Sequence, residues 1–221
     1  NWVNATNDTI EFYQDNSPVT FDDSASGATT VNLQTTVNPA GVTVSNLFKN
    51  YTFTGSGSLG GTTSLVKHGI GTLTVNTANS FTGGVLIDGG MLQTGNAMAL
   101  GSTSGTTVIT NNGTLDLNGN NLGTEPVYVS GRGLNADGAI ISTSSSSQTH
   151  ALQNVTLTGD TAFGGPGNWL MSGNPGRWDI RGPGTTLTMN DGEPFNLYKV
   201  GSNQVSFVSV AIDTNVANRG I

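Results

Sequence analysis

A short motif of the form V-x4-G-x-L recurs three times in the chain and constrains its fold more than any other feature. It occurs as VKHGIGTL at residues 66–73, VLIDGGML at residues 85–92 and VITNNGTL at residues 108–115. The copies begin 19 and 23 residues apart, since 85 − 66 = 19 and 108 − 85 = 23. A period near 20 residues with variable length is typical of a β-solenoid, whose strands stack while its turns vary.

Short alternating runs accompany the motif and indicate strands. The runs VTV at residues 42–44 and LTV at residues 73–75 each place two apolar side chains on one face and a threonine on the other. Gly71, Gly90 and Gly113 follow at turn positions, where a positive φ or the lack of room for a Cβ favours glycine. The pattern predicts strands that bury Val and Leu and leave Thr, Asn and Ser in water.

These signals predict an all-β fold, a single-stranded right-handed parallel β-helix, with residues 1–221 as one domain. Leu73, Leu92 and Leu115 should stack inward in neighbouring coils. The alternative is an antiparallel sandwich, and Asn-Gly and Asp-Gly pairs at residues 112–113 and 88–89 supply some of its hairpin turns. The near-constant period favours the solenoid.

The composition limits the kinds of partner and of site that the chain can have. The 221 residues include 32 Gly and no Cys, with only 10% charged residues and a net charge of −7. Disulfides and thiolate zinc sites are therefore excluded. Seven scattered Lys and Arg residues form no basic stripe, so we expect no nucleic-acid partner and no membrane insertion. The chain begins at Asn1 without Met, and we expect a piece of a larger modular extracellular protein.

Residues 69–101, GIGTLTVNTANSFTGGVLIDGGMLQTGNAMALG, resemble the autotransporter-associated β-strand repeat of secreted bacterial surface proteins. The glycines, the Thr-Leu pair, the Asn-x-Phe-Thr-Gly-Gly run and the final Gly-x-Leu stand where that pattern has them. The resemblance implies a right-handed parallel β-helix located outside the cell or on its surface. Such helices serve as adhesin stalks, as passengers of secreted enzymes and as carbohydrate-binding modules of enzymes that degrade plant polysaccharides.

The acidic residues give no pattern of an active site. Asp22 and Asp23 are the only adjacent pair, and neighbouring strand residues point to opposite faces. They fit a solvated turn or a weak calcium site better than paired catalysis. Asp179 and Arg181 lie two apart in WDIR, so they share a face and most simply form an ion pair. We expect no enzyme, no metal and no cofactor; a lyase or hydrolase is the third alternative.

The stretch GGPGNWLMSGNPGRWDIRGPG, residues 164–184, is the candidate binding site. Its repeated PGNW and PGRW indicate an inserted loop that adds a tryptophan outside the regular coil. Indole rings stack on the apolar faces of sugars, while amide, carboxylate and guanidinium groups bond their hydroxyls. The predicted ligand-binding residues are Asn168, Trp169, Arg177, Trp178, Asp179 and Arg181.

Other roles remain open for some of these aromatic residues. Trp169 fits a sugar platform or a lid over the end of the solenoid, and Trp178 fits a residue of the coil as well as a platform. Tyr128, Tyr198 and Arg132 are candidates to extend a binding face.

The sequence predicts a non-catalytic module that binds a neutral plant polysaccharide, with xylan as the leading candidate, linked to a catalytic or further repeat domain. The alternative is a structural or adhesive passenger segment of a bacterial surface protein.

Overall fold

The computed structural model describes residues 2–4, 9–166, 176–189 and 195–213. The described chain is almost entirely strands and turns, with one short 3-10 helix at Leu134–Ala136. The strands are β1 (Trp2–Asn4), β2 (Thr9–Glu11), β3 (Pro18–Asp22), β4 (Thr30–Asn32), β5 (Gly41–Ser45), β6 (Tyr51–Thr54), β7 (Leu65–His68), β8 (Thr72–Val75), β9 (Val85–Ile87), β10 (Met91–Thr94), β11 (Thr107–Ile109), β12 (Thr114–Asp116), β13 (Pro126–Gly131), β14 (Ile140–Ile141), β15 (Gln148–Leu152), β16 (Asn154–Gly164), β17 (Arg177–Arg181), β18 (Thr186–Thr188), β19 (Leu197–Lys199), β20 (Gln204–Val208) and β21 (Ala211–Asp213).

The strands form a parallel β-solenoid of about eight turns. Sheet 1 contains β3, β5, β7, β9, β11, β13, the first half of β16, β18 and β21. Sheet 2 contains β4, β6, β8, β10, β12, β14, the second half of β16 and β19. Sheet 3 contains β15, β17 and β20. Among the described strands only β1 and β2 pair antiparallel, so the predicted solenoid is confirmed and the sandwich is wrong.

Three leucines form one column of the core, as the sequence predicts. Leu73 pairs in register with Leu92, and Leu92 pairs with Leu115. All three side chains are fully buried. Burial of a leucine stabilises a fold by about 1.5–3 kcal/mol, so the column is a continuous source of stability along the solenoid.

The valines of the same motif do not form a column. Val66 pairs with Leu86, which pairs with Val108, whereas Val85 pairs with Leu65. Val85 is therefore buried while Val66 lies on the outer face, because alternate strand residues face opposite sides. This difference arises at the turn that carries Gly90. The inward residues Ile87 and Leu92 on its two sides are five positions apart, one fewer than the equivalent inward residues of the coils on either side.

A lysine lies inside the corner between sheets 1 and 2. Lys67 is fully buried, and its Nζ donates hydrogen bonds to the carbonyl oxygens of His68 (2.8 Å), Gly69 (2.9 Å) and Gly89 (3.3 Å). Burial lowers the pKa of this ammonium group from 10.5 to about 8. Gly90 completes the corner with φ +62°, and a Cβ there would overlap the carbonyl oxygen of Gly69.

Candidate functional site

Strand β17 carries four of the six predicted binding residues and separates them onto two faces. Trp178 and Ile180 point into the core, and Arg177, Asp179 and Arg181 point away from it. This alternation follows from the two-residue period of a strand. Asn168 and Trp169, the other two predicted residues, lie outside the described residues.

Trp178 is part of the core. Its side chain is 0% exposed, and its indole Nε1 donates a hydrogen bond of 3.1 Å to the carbonyl oxygen of Gly164. The ring meets Phe163 edge to face, with centroids 5.3 Å apart. This burial corrects the prediction of a platform at Trp178, because no face of the indole is free to stack on a sugar. It agrees with the alternative that Trp178 belongs to the coil.

Asp179 is held between two arginines. The Arg177 Nε and Nη2 atoms donate to Oδ1 and Oδ2 at 2.7 and 2.5 Å, and Arg181 Nη1 lies 3.6 Å from Oδ2. Asp179 is fully buried, whereas the side chains of Arg177 and Arg181 are 31% and 39% exposed. The hydrogen bond to Asp179 raises the pKa of Arg177. The predicted Asp179–Arg181 pair is present, but Arg177 is the closer partner.

The Arg177–Asp179–Arg181 cluster leaves one net positive charge on sheet 3. The carboxylate of Asp179 is out of reach of a ligand, because it is buried and bonded on both oxygens. Only the outer guanidinium N–H groups can meet a ligand, as donors to hydroxyl or anionic oxygens. The cluster therefore suits structural support with a limited polar contact, and it offers no free base for catalysis.

A second group of surface residues meets where β16 bends from sheet 1 to sheet 2. Arg132 Cζ lies 4.4 Å from the centroid of the Tyr198 ring, a cation–π contact. Asp160 accepts hydrogen bonds from the backbone N–H (2.8 Å) and the Nδ2 (3.1 Å) of Asn196, and the first of these lowers its pKa most. The sequence indicates Arg132 and Tyr198 as binding candidates but carries no signal for Asn196, which contacts Asp160 from 36 positions away.

The adjacent acids of the first coil have structural partners. Asp23 accepts the backbone N–H groups of Leu47 (2.6 Å), Phe48 (3.1 Å) and Lys49 (2.9 Å), which lowers its pKa. Asp22 accepts from the Ser24 hydroxyl at 2.5 Å. Asp23 therefore ties its turn to the next one, whereas the hydrogen bond of Asp22 stays within its own turn.

Within the described ranges, no three His, Cys, Asp or Glu side chains are grouped so that they could hold a metal ion. None of the helices found there is long and apolar enough to cross a membrane.

Part of the chain matches a known repeat family. Residues 65–93 match the passenger-associated-transport-repeat, and in the structure they run from the first residue of β7 into β10. This segment is similar to a repeat associated with passenger transport, in agreement with the resemblance of residues 69–101. The match does not extend to a carbohydrate-binding module. No curated protein and no solved structure matches the chain.

Proposed function

We propose that the chain is a structural segment of a secreted or cell-surface passenger, a non-catalytic solenoid that spaces or presents other parts of a larger protein. The observation that carries the proposal is the position of the repeat. The family match covers one coil and two sides of the next, so the repeat is the unit that stacks. A chain made of stacked units can vary in length without losing its fold.

The described surface supports this role. The aromatic and charged groups predicted to bind a ligand are largely engaged within the protein: Trp178 in the core and Asp179 with two arginines. The chain has few charged residues and a net negative charge. Such a charge favours solubility and disfavours binding to nucleic acid.

Removal of one coil tests the structural role. Val85 pairs with Thr107, so deletion of residues 85–106 joins Gly84 to a residue in the same register. We expect the deletion to fold, to melt cooperatively and to shorten the solenoid by about 4.8 Å, the spacing of stacked strands. Surface display of the full-length protein, measured by antibody labelling of intact cells, should persist.

A deletion of residues 85–95 removes about half a coil and is the matched control, since it places the remaining strands out of register. Loss of folding in both deletions alike, or a full-length protein found only inside the cell, would refute the passenger role. For the non-catalytic part, the protein should release no reducing sugar or unsaturated uronide from xylan, β-glucan, mannan or pectin, with or without calcium.

Binding of a neutral polysaccharide such as xylan is a second proposal, favoured by the exposed corner of Arg132, Asp160, Asn196 and Tyr198. Tyr198 is 37% exposed, and the amide, carboxylate and guanidinium groups around it suit sugar hydroxyls. If this corner binds xylan, Tyr198→Ala should abolish retardation of the protein in a xylan affinity gel, and Tyr128→Ala, on the outer face of sheet 1, should retain it. Equal retardation of Tyr198→Ala and the parent protein would exclude the corner. Trp169→Ala tests, in the same gel, the contribution of the loop that the sequence predicts there.

A further inference from the structure

Glu125 is a carboxylic acid buried beside an open cavity, and no function described above uses it. Glu125 is only 4% exposed, and it lies immediately before β13. The Thr107 hydroxyl donates a hydrogen bond of 2.7 Å to its Oε1. Its Oε2 makes no hydrogen bond with any residue in the described part of the chain. The described side-chain atoms that are fully enclosed without a hydrogen-bond partner are Asn46 Oδ1 and Asn203 Oδ1. Oε2 is therefore not enclosed, and this oxygen is accessible to a ligand.

The cavity has a volume of about 460 Å³ and lies across three successive coils, within the size range of small-molecule sites. Leu100 and Leu122 form apolar walls, Met98 stands exposed beside them, and Ser80 and Ser102 add hydroxyl groups. Of the described residues that line the cavity, Glu125 is the only one that can carry a charge.

We propose that this cavity binds a small organic cation, a primary ammonium group on a short apolar chain, with the ammonium on Glu125 Oε2. The apolar walls would cover the chain, and the ammonium would form a charge-assisted hydrogen bond with the carboxylate. An anion would be repelled by Glu125, the only group among the described lining residues that can carry a charge. A purely apolar molecule would leave Oε2 unpaired.

The raised pKa of Glu125 also favours a cationic ligand. Burial raises its pKa from 4.5 to about 7, against a smaller opposite effect of the Thr107 hydrogen bond. Among the described residues, no positive partner offsets the effect of burial on this carboxylate. Binding of a cation should favour the ionised form, so affinity should rise as pH increases through about 7.

The test uses n-butylammonium as the probe and two-dimensional amide NMR of the whole chain as the readout. At a pH of about 8.5 we expect saturable shifts at the amides of Ser80, Ser102 and Leu122, with a millimolar Kd. Affinity should fall about tenfold at a pH of about 5.5 and in Glu125→Gln, which keeps the shape and the acceptor for Thr107. Asp137→Asn, a change at an exposed acid elsewhere on the surface, should bind as the parent does.

Three results would overturn the proposal. The first is equal affinity of Glu125→Gln and the parent protein for n-butylammonium. The second is equal affinity of the parent for n-butanol, which would show an apolar cavity without charge recognition. The third is an absence of shifts up to about 50 mM probe. Because the passenger role is tested by coil deletion, failure here leaves that proposal standing.

Discussion

Arg177 and Asp179 form a two-point ion pair although they lie only two residues apart on one strand, with Nε–Oδ1 and Nη2–Oδ2 distances of 2.7 and 2.5 Å. Arg181 approaches the same carboxylate at 3.6 Å. Arg177 is hydrogen-bonded to this buried carboxylate, whereas Arg181 only lies near it. Replacing each arginine in turn therefore compares the loss of a hydrogen-bonded partner with the loss of a nearby charge.

Arg177→Met should lower the free energy of unfolding by about 2–4 kcal/mol, because it leaves the buried carboxylate without its bidentate donor. Arg181→Met should cost less than about 1 kcal/mol. Urea unfolding followed by circular dichroism measures both. Equal losses in the two variants would contradict the described geometry.

Leu92→Ala should lower the free energy of unfolding by about 2–5 kcal/mol, since it opens a cavity between Leu73 and Leu115. Ile70→Ala is the control: Ile70 is 61% exposed, and its removal should change stability by less than about 0.5 kcal/mol. Thermal and urea unfolding give the comparison. A small effect at Leu92 would show that the leucine column does not carry the stability assigned to it.

Gly90→Ala and Gly123→Ala separate backbone strain from steric overlap. Both glycines have a positive φ, +62° and +60°, so both variants bear the cost of a left-handed alanine, about 1–2 kcal/mol. At Gly123 no atom lies within 4 Å of the added Cβ, whereas at Gly90 it meets backbone oxygens and Lys67 Nζ. Gly90→Ala should therefore unfold at clearly lower urea concentration; equal midpoints would rule out the tight corner.

Lys67 should make stability rise with pH. Its folded pKa of about 8 lies below the unfolded value of 10.5, so the unfolded chain binds more protons between these values, and the free energy of unfolding increases with pH there. Relative to Lys67→Met, the parent should gain about 1–3 kcal/mol from pH 8 to pH 10.5. Urea titrations at several pH values measure the difference, and parallel profiles of the two proteins would show that Lys67 does not titrate in this window.

The strand content and the leucine column could be predicted from the sequence, because both depend on local alternation and a regular period. The valine register could not be predicted from the same motif. Val66, Val85 and Val108 occupy equivalent positions in the three copies, yet a corner shorter by one residue turns Val85 inward. A one-residue change reverses the face of a strand residue, and only the paired strands reveal where it occurs.

The sequence by itself determined a parallel β-solenoid, its stacked leucines and its likeness to a passenger repeat, since each is written into neighbouring residues. The tertiary structure decided which polar and aromatic side chains are enclosed. Trp178 meets Gly164, Glu125 meets Thr107 and Asp160 meets Asn196 across 14, 18 and 36 positions. These sequence separations follow from the lengths of the coils and from how successive coils stack. Whether a side chain is buried depends on that stacking rather than on the sequence motif in which it lies.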